Sequence, residues 1–418
     1  MIENRSCCPN STGAATIWFA AMLLGLALPL IAVAQPGTPP RFVAHTTDPK
    51  PVSGRLASLS DGWSVALDEP AATIPTGTLV SLRREGQPLP PWPHGPMIVL
   101  TNGDRVRGEV VGGDTRVARF TPAHRDDPKP WTVPLTALAA VWVTSPPADT
   151  PPDPAAYPWA DGPRRRDAVL LRNGDVVRGT VEGFAADPPA VRVKAAGEPA
   201  STTLPLSRVA AVAFDPVLAR ARKPKGPYAR LVTADGSRLS LAAATADTAT
   251  LKGTTTFGTA VELPVADVIA LDVLQGQATY LSDLKPKKAS VESFNGLAWP
   301  WAADRTVKGN PLRHGPQTFD KGLGTHPRTT LIYDLGGKYR RFEALVGLDP
   351  VTGRRGAVEV RVLVDGRVAV SADLTAGTAP FPVAVDVAKA KELMLVVDYG
   401  PAGDVQCDVN WCDARLIE

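Results

Sequence analysis

The chain has few of the residues that most enzyme sites and nucleic-acid-binding surfaces require. Only 6% of its 418 residues are aromatic, and it contains five histidines and four cysteines. Lysine and arginine total 45 against 42 for aspartate and glutamate, so there is no large excess of basic charge. A protein dedicated to nucleic acid usually has such an excess. We therefore expect no nucleic-acid partner.

Catalytic motifs are also missing. The sequence has no HExxH, CxxC or GxSxG pattern and no phosphate-binding loop. None of the five histidines is paired at metal-ligand spacing. The pattern of short strands lacks the alternation of strands and helices found in the barrels of many glycosidases. We expect that the protein is not an enzyme, although two carboxylates at hydrolase separation would leave no signature in the sequence.

Residues 1–34 have the pattern of an export signal. Arg5 precedes an apolar stretch between Ala14 and Val33, Pro29 interrupts it, and Ala-Val-Ala at 32–34 fits a small-x-small cleavage site. An uncleaved membrane anchor is the alternative, because the stretch is just long enough to span a bilayer. No later segment is as apolar. We predict an exported protein, periplasmic, extracellular or in the cell envelope, with no transmembrane segment after cleavage.

The 42 prolines and 36 glycines predict strands and turns rather than long helices. Similar segments recur along the chain, such as MIVLTNGDRVRGEVVG at 97–112 and AVLLRNGDVVRGTVEG at 168–183. Their Asn-Gly dipeptides are typical of tight hairpin turns. A phosphate or metal loop is the alternative, but one carboxylate per turn supplies too few ligands for calcium. We predict four tandem repeats, each a small β-sheet or barrel, at residues 41–90, 97–146, 167–216 and 228–277.

Two proline-rich connectors, residues 86–96 and 145–163, separate parts of these repeats. Proline fixes φ and has no N–H to donate, so we expect extended spacers. Trp92 and Trp159 lie in the connectors. Each either packs against a neighbouring repeat or presents an aromatic surface to a ligand.

Residues 278–418 are predicted to form a separate all-β domain. Between Val358 and Val364 valines alternate with other residues, and Asp365-Gly366 then turns the chain back. The segment from Leu393 to Val397 is apolar on both faces, as expected for an inner strand of a sandwich. These patterns predict hairpins that pack as two sheets.

Several motifs in this region resemble the NPCBM family of carbohydrate-binding modules. They are KGLGTH at 321–326, YDLGG at 333–337, Phe342 with Val346-Gly347, the Asp365-Gly366 hairpin and WxDAR at 411–415. The family usually has an Asp/His-rich stretch before the final tryptophan, where this chain has Cys407 to Asn410. The resemblance implies a galactose-binding-like jelly-roll β-sandwich at 278–418 that binds a glycan or polysaccharide.

A sugar site needs an aromatic ring to cover the apolar face of a pyranose and planar polar groups to bind its hydroxyls. Trp299 and Trp301 flank Pro300 in a predicted loop, where exposure and core packing are both open. Trp411 lies in the predicted last strand, where a tryptophan more often belongs to the core. His326 either contacts ligand or binds a loop carbonyl. The candidate carbohydrate-binding residues are Trp299, Trp301, His326, Asp349, Trp411 and Asp413.

A structural calcium ion is a further hypothesis, because jelly-roll modules often bind one. The aspartates that would serve as ligands are Asp304, Asp349, Asp404 and Asp408, although no ligand spacing supports the set.

Cys407 and Cys412 would remain after signal cleavage. An extended chain would separate them by about 16 Å, so a disulfide requires a turn around residues 408–410. A disulfide and two free thiols are both open.

The sequence therefore predicts an exported, non-catalytic, all-β protein in which tandem β repeats form a scaffold and the C-terminal sandwich binds carbohydrate. One alternative is an envelope protein whose sandwich binds another protein and has no live sugar site. A glycoside hydrolase is a further alternative, because modules of this family are commonly attached to one.

Overall fold

The described residues fold into β-strands joined by turns, and their helical structure consists of single 3₁₀ turns. In this computed structural model the described residues are 40–123, 129–148, 150–160, 166–195, 197–220, 224–292, 299–401 and 403–418. The predicted export signal at 1–34 lies outside them. No helix within these ranges is long and apolar enough to cross a membrane. The prediction of an all-β protein is confirmed.

The first twenty strands form one hydrogen-bonded network of antiparallel pairs. The first ten are β1 Arg41–Thr46, β2 Val52–Leu59, β3 Val65–Asp68, β4 Ala72–Ile74, β5 Leu79–Arg84, β6 Met97–Leu100, β7 Arg105–Gly113, β8 Val117–Pro122, β9 Trp131–Pro134 and β10 Leu138–Trp142. The next ten are β11 Asp167–Leu171, β12 Val176–Ala186, β13 Pro189–Ala195, β14 Thr202–Pro205, β15 Val209–Ala213, β16 Tyr228–Thr233, β17 Arg238–Ala246, β18 Thr250–Thr255, β19 Ala260–Pro264 and β20 Val268–Leu274.

One succession of elements occurs three times after β5. Each succession begins with four strands, and the fourth of them ends at a proline. A 3₁₀ turn follows, and a fifth strand completes the succession. The 3₁₀ turns are Leu135–Ala137, Leu206–Arg208 and Val265–Asp267. Each succession lies within one of the predicted repeats at 97–146, 167–216 and 228–277. The exact bounds of the repeats stay a prediction.

The Asn-Gly and Asp-Gly turns owe their geometry to local hydrogen bonds. Gly103 has φ +88°, which favours glycine. The amide Nδ2 of Asn102 donates to Asp104 Oδ2 at 2.8 Å, and Asp104 N donates back to Asn102 Oδ1 at 3.1 Å. Asp104 is fully buried and accepts two further hydrogen bonds, from the backbone N and the hydroxyl of Ser240. The Asp104 carboxylate therefore ties the turn before β7 to β17 and has a structural role there.

The remaining strands form a sandwich of two main sheets with a separate hairpin. One sheet has the order β23-β26-β33-β28-β31, with β21 also paired to β33, and the other has the order β22-β27-β32-β29-β30. These strands are β21 Ala278–Tyr280, β22 Lys288–Val291, β23 Ala302–Ala303, β24 Leu312–His314, β25 Gln317–Phe319, β26 Gly322–Thr325, β27 Thr329–Asp334, β28 Arg341–Leu348, β29 Ala357–Val364, β30 Arg367–Thr375, β31 Phe381–Asp386, β32 Glu392–Tyr399 and β33 Val409–Ile417.

The core of the sandwich lies between these two sheets. Strand alternation turns one side chain in two toward the interior, so β29 buries Val358, Val360 and Val362 while the residues between them are half-buried. β27 and β33 contribute Tyr333 and Trp411, among the largest fully buried side chains among the described residues. Burial of this apolar surface drives the two sheets together.

The sandwich packs against the first twenty strands within one compact unit. Arg238 on β17 is paired with Asp320, which precedes β26, and both side chains are almost wholly buried. The hydroxyl of Thr318 donates to the carbonyl of Leu89 at 2.8 Å, so the first proline-rich connector is tied to β25. These contacts fix the position of the connector against the sandwich.

Candidate functional site

Three neighbouring strands bring candidate residues together at one end of the sandwich, where the strands begin or end. β26 and β28 both pair antiparallel with β33, so Thr325 and Leu348 lie on either side of Val409. The residues that continue these strands at the same end are His326, Asp349 and Asp408. They lie close together there although they are up to 82 positions apart in the chain. We call this group the His326 site.

His326 lies at the centre of the site and is 8% exposed. Its Nε2 lies 3.1 Å from Asp404 Oδ1 and 3.8 Å from Asp408 Oδ1. The indole of Trp299 lies beside the imidazole, with ring centroids 6.3 Å apart and an angle of 32° between the planes. Trp299 is 43% exposed. The site thus combines a solvent-facing aromatic ring with an imidazole and two carboxylates.

Asp349 and Asp408 lie deeper in the site. Both are nearly buried, and the backbone N of Asp349 donates to the carbonyl of Asp408 at 2.8 Å. Burial raises the pKa of both carboxyls, because a charged group loses its hydration there. The ammonium of Lys308 lies 3.6 Å from Asp408 Oδ2, beyond hydrogen-bonding distance.

Several polar atoms of the site lack a hydrogen bond from the described residues. They belong to side chains that meet at or next to the end formed by β26, β28 and β33. These atoms are Asp349 Oδ2, Asp408 Oδ2, Asn410 Oδ1 and His314 Nε2. A buried polar atom without a protein partner is costly, so these atoms are candidates for hydrogen bonds to a ligand.

Trp411 is not available to a ligand. Its side chain is fully buried, and its indole Nε1 donates to the hydroxyl of Thr325 at 3.2 Å inside the sandwich. The period-two alternation of β33 directs this ring between the sheets. The proposal of Trp411 as a sugar-binding residue is therefore wrong, and the core alternative is the one that the structure shows.

Asp413 does not belong to the His326 site. Asp413 and Ala414 both lie opposite Ala344 of β28, which makes a β-bulge, and Asp413 has φ +49°. It lines a different cavity of about 450 Å³, together with Arg83 and Arg415. The structure therefore separates Asp413 from the other candidates.

The remaining tryptophan candidate, Trp301, is half-buried and packs against the core of the sandwich. Its neighbour Trp299 is the more exposed of the two. Of the pair that flanks Pro300, the structure thus places Trp299, rather than Trp301, beside His326.

The calcium hypothesis finds no support in the geometry. Asp304 is paired with Lys321, whose ammonium lies 2.7 Å from Asp304 Oδ2 and 2.6 Å from Asp283 Oδ1. Within the described ranges, no group of three or more His, Cys, Asp or Glu side chains is arranged to hold a metal ion. The four aspartates are thus divided between ion pairs and the His326 site.

Both C-terminal cysteines are free and buried. Cys412 points out of the main core toward Leu312 and Phe319, whereas the Cys407 thiol lies near the carbonyls of Gly403 and Val405. Burial raises the pKa of both thiols. Of the two alternatives for this pair, the structure shows two free thiols.

Lys308 of the site had no distinguishing signal in the sequence. It lies in a Lys-Gly-Asn turn that is typical of any surface loop, and only the fold brings it near Asp408. Asp404 was a calcium candidate by residue type, but its proximity to His326 depends on the conformation of the loop before β33.

Residues 277–417 match the family model described as the NPCBM/NEW2 domain. The C-terminal sandwich resembles NPCBM modules, as the sequence predicted. NPCBM is a family of carbohydrate-binding modules, so the match supports carbohydrate binding for this segment. The matched residues include every member of the His326 site.

One curated relative is a Renibacterium salmoninarum protein named "Putative endo-alpha-N-acetylgalactosaminidase". It is 29% identical over 110 residues, which are 26% of this chain and 7% of the relative. The alignment therefore spans a small part of the relative's length.

Two solved structures from Clostridium perfringens are also similar. One is CBM51-2 of ZmpB in complex with GlcNAc and INT domains, 28% identical, covering 40% of this chain and 36% of that chain, with a TM-score of 0.31. The other is CBM51 of GH95 in complex with methyl-galactose, 27% identical, covering 33% of this chain and 99% of that chain, with a TM-score of 0.31.

Proposed function

We propose that the protein is an exported, non-catalytic carbohydrate-binding protein whose sugar site is the His326 site of the NPCBM segment. The observation on which this rests is the exposed Trp299 ring beside an imidazole that contacts two carboxylates. An aromatic ring next to planar polar groups is the arrangement that pyranose recognition requires.

The role of each residue in the site follows from how far its side chain is exposed to solvent. The Trp299 ring covers the apolar face of a pyranose, because it is the large aromatic surface that the site presents to solvent. Asp404 is partly exposed and accepts hydrogen bonds from sugar hydroxyls, while the exposed ammonium of Lys308 donates one. Asp349 and Asp408 lie deeper and position the outer groups.

The contacts of His326 support binding rather than hydrolysis. Its Nε2 faces the carboxylates of Asp404 and Asp408, and its ring lies against Trp299. Two carboxylates that share one imidazole nitrogen are held on the same side of the site. A glycosidase places its two carboxyl groups on opposite sides of the scissile bond. We therefore assign the carboxylates to hydroxyl recognition.

A glycan array tests this function. The purified protein is applied with Trp299→Ala and with a control, Leu218→Ala, which removes an apolar side chain that is 71% exposed in the first part of the chain. We expect one group of related glycans to bind the wild type and the control but not Trp299→Ala. If no glycan binds, or if Trp299→Ala keeps the same glycans at the same strength, the proposal is wrong.

A further inference from the structure

A second cavity lies where the proline-rich connectors meet the sandwich. It has a volume of about 490 Å³, which is within the usual range for small-molecule sites. The first connector contributes Trp92 and His94, the second contributes Pro151, and the loop before β24 contributes Asn310, with Arg313 from β24 itself. We call this the Trp92 cavity. Half of its lining residues lie outside the segment that matches the NPCBM model.

The ring of Trp92 is held in place from one side. The guanidinium of Arg105 stacks on it, 3.5 Å from the ring centroid, and is fixed in turn by an ion pair with Asp153 at 2.8 Å. Arg105 lines a smaller neighbouring cavity and not this one, whereas Trp92 lines both. Trp92 therefore borders both cavities, and the guanidinium that stacks on it lines only the smaller one.

The backbone that presents Trp92 is also fixed. The carbonyls of Pro90 and Pro91 accept hydrogen bonds from the buried guanidinium of Arg238, at 2.7 and 3.0 Å. Thr318 binds the carbonyl of Leu89 at 2.8 Å. An aromatic ring on a segment held this firmly loses little conformational entropy when a ligand covers it.

The polar side chains around the ring are accessible to a ligand. His94 and Arg313 are exposed, Asn310 is half-buried, and their side chains make no hydrogen bond or ion pair with the described residues. Together they offer an imidazole, an amide and a guanidinium beside an aromatic ring. This is the chemistry that recognises a hydroxyl-rich sugar ring.

The Trp92 cavity borders the His326 site. The carbonyl of Arg313, a residue that lines the cavity, accepts from Nδ2 of Asn410 at 3.4 Å, and Asn410 lies two positions after Asp408 in the chain. Val351, which also lines the cavity, donates its backbone N–H to Asp349 Oδ1 at 3.1 Å. The two sites are therefore adjacent.

We infer that the Trp92 cavity is a second saccharide subsite, and that the protein binds an oligosaccharide with one unit at the His326 site and another against Trp92. This inference rests on the proposed function of the His326 site. It assigns the connectors a role in ligand binding, so that the β-repeat scaffold determines the length of glycan that is recognised.

Titration calorimetry on the full chain tests the inference. The probes are N-acetylglucosamine, methyl galactoside, N-acetyllactosamine and lacto-N-neotetraose. For the wild type we expect the tetrasaccharide to bind at least tenfold more tightly than either monosaccharide. Trp92→Ala abolishes that gain and leaves monosaccharide affinity unchanged, whereas Trp299→Ala weakens every probe.

Variants of exposed side chains test the same subsite even if Trp92→Ala fails to fold. His94→Ala and Arg313→Ala remove groups without partners, so both should fold normally and lower tetrasaccharide affinity at least threefold. Arg119→Ala, an exposed arginine on β8, is the matched control and should bind as the wild type does.

The possible results separate the two proposals. If the monosaccharides bind but the tetrasaccharide gains nothing, or if the gain survives all three cavity variants, the second subsite is wrong and the His326 site stands. If none of the four probes binds and the array is also empty, the proposed function fails and the subsite fails with it.

Discussion

Arg238 holds Asp320 in a two-pronged contact, with Nε 3.0 Å from Oδ2 and Nη2 3.1 Å from Oδ1. Burial opposes ionisation of Asp320, but the charge and hydrogen bonds of Arg238 outweigh it and hold the pKa at about 2. The same guanidinium binds three backbone carbonyls, two of them in the first connector. One arginine thus joins β17, the connector next to the Trp92 cavity and the sandwich.

Removing one partner of this pair should be far more damaging than removing both. Asp320→Leu leaves the Arg238 charge buried without its counter-ion, and we expect a loss of about 3–5 kcal/mol in the free energy of unfolding. The double variant Arg238→Met with Asp320→Leu should recover part of this loss. Urea unfolding followed by tryptophan fluorescence measures both. A single variant as stable as wild type would show that the pair does not hold the sandwich in place.

The three tryptophans of the NPCBM segment should behave differently. Trp299→Ala should lower sugar affinity by about 1–3 kcal/mol, because it removes an exposed platform, and should leave the melting temperature within a few degrees of wild type. Trp411→Ala should cost about 3–5 kcal/mol of stability, because it leaves a cavity in the core. Trp301→Ala should fall between them in stability. Thermal melting and glycan affinity are measured on the same preparations; a large drop in melting temperature for Trp299→Ala would place that ring in the core instead.

His45 should make the protein less stable in mild acid. Burial, together with the charges of Arg415 and Arg83, lowers the pKa of His45 from 6.5 to about 4. Between pH 6.5 and pH 4 the unfolded chain binds more protons at this residue than the folded chain, so its contribution to stability falls as the pH falls through that window. The loss should reach about 2–3 kcal/mol at pH 4, allowing for partial exposure.

The control for this prediction is His45→Gln, which cannot titrate. Comparing the unfolding free energies of the two proteins at pH 7 and at pH 4 isolates the contribution of His45 from that of the carboxylates. Equal losses for wild type and variant between these two pH values would contradict the prediction.

The purified protein should release no sugar or aryl group from a broad panel of glycosides. We expect this because Asp404 and Asp408 lie on one side of His326 rather than on both sides of a bound sugar. The measurement is product release over a long incubation, with Asp404→Asn and Asp408→Asn assayed in parallel. Turnover that survives purification and disappears in either variant would establish a hydrolase.

A chain beginning at residue 35 should expose no reactive thiol while folded and two after denaturation without reductant. Cys407 and Cys412 are free and buried, and burial raises the pKa of both, so little thiolate is present near neutral pH. Thiol titration with and without denaturant counts them. A denatured count of zero that rises to two with reductant would mean that the cysteines are paired.

The strands and turns were predictable because they depend on neighbours in the chain. Alternation in Val358–Val364 requires only a period of two, and the turn at Gly103 requires only a residue that accepts φ +88°. The motifs between 321 and 415 were likewise sufficient to recognise the resemblance of the C-terminal sandwich to NPCBM modules, because their order is a property of the sequence.

The tertiary structure decided which candidates meet. His326 and Asp408 come together because β26 pairs with β33, and β28 pairs with the other side of β33. These are long-range pairings that no local pattern encodes. The same strand turns Trp411 inward, and its bulge places Asp413 in another cavity. Trp92, which the sequence left open between packing and exposure, acquires its surroundings only when the connector docks on the sandwich. A sequence lists side chains and their local geometry, whereas a site depends on distances between strands that are remote in the chain.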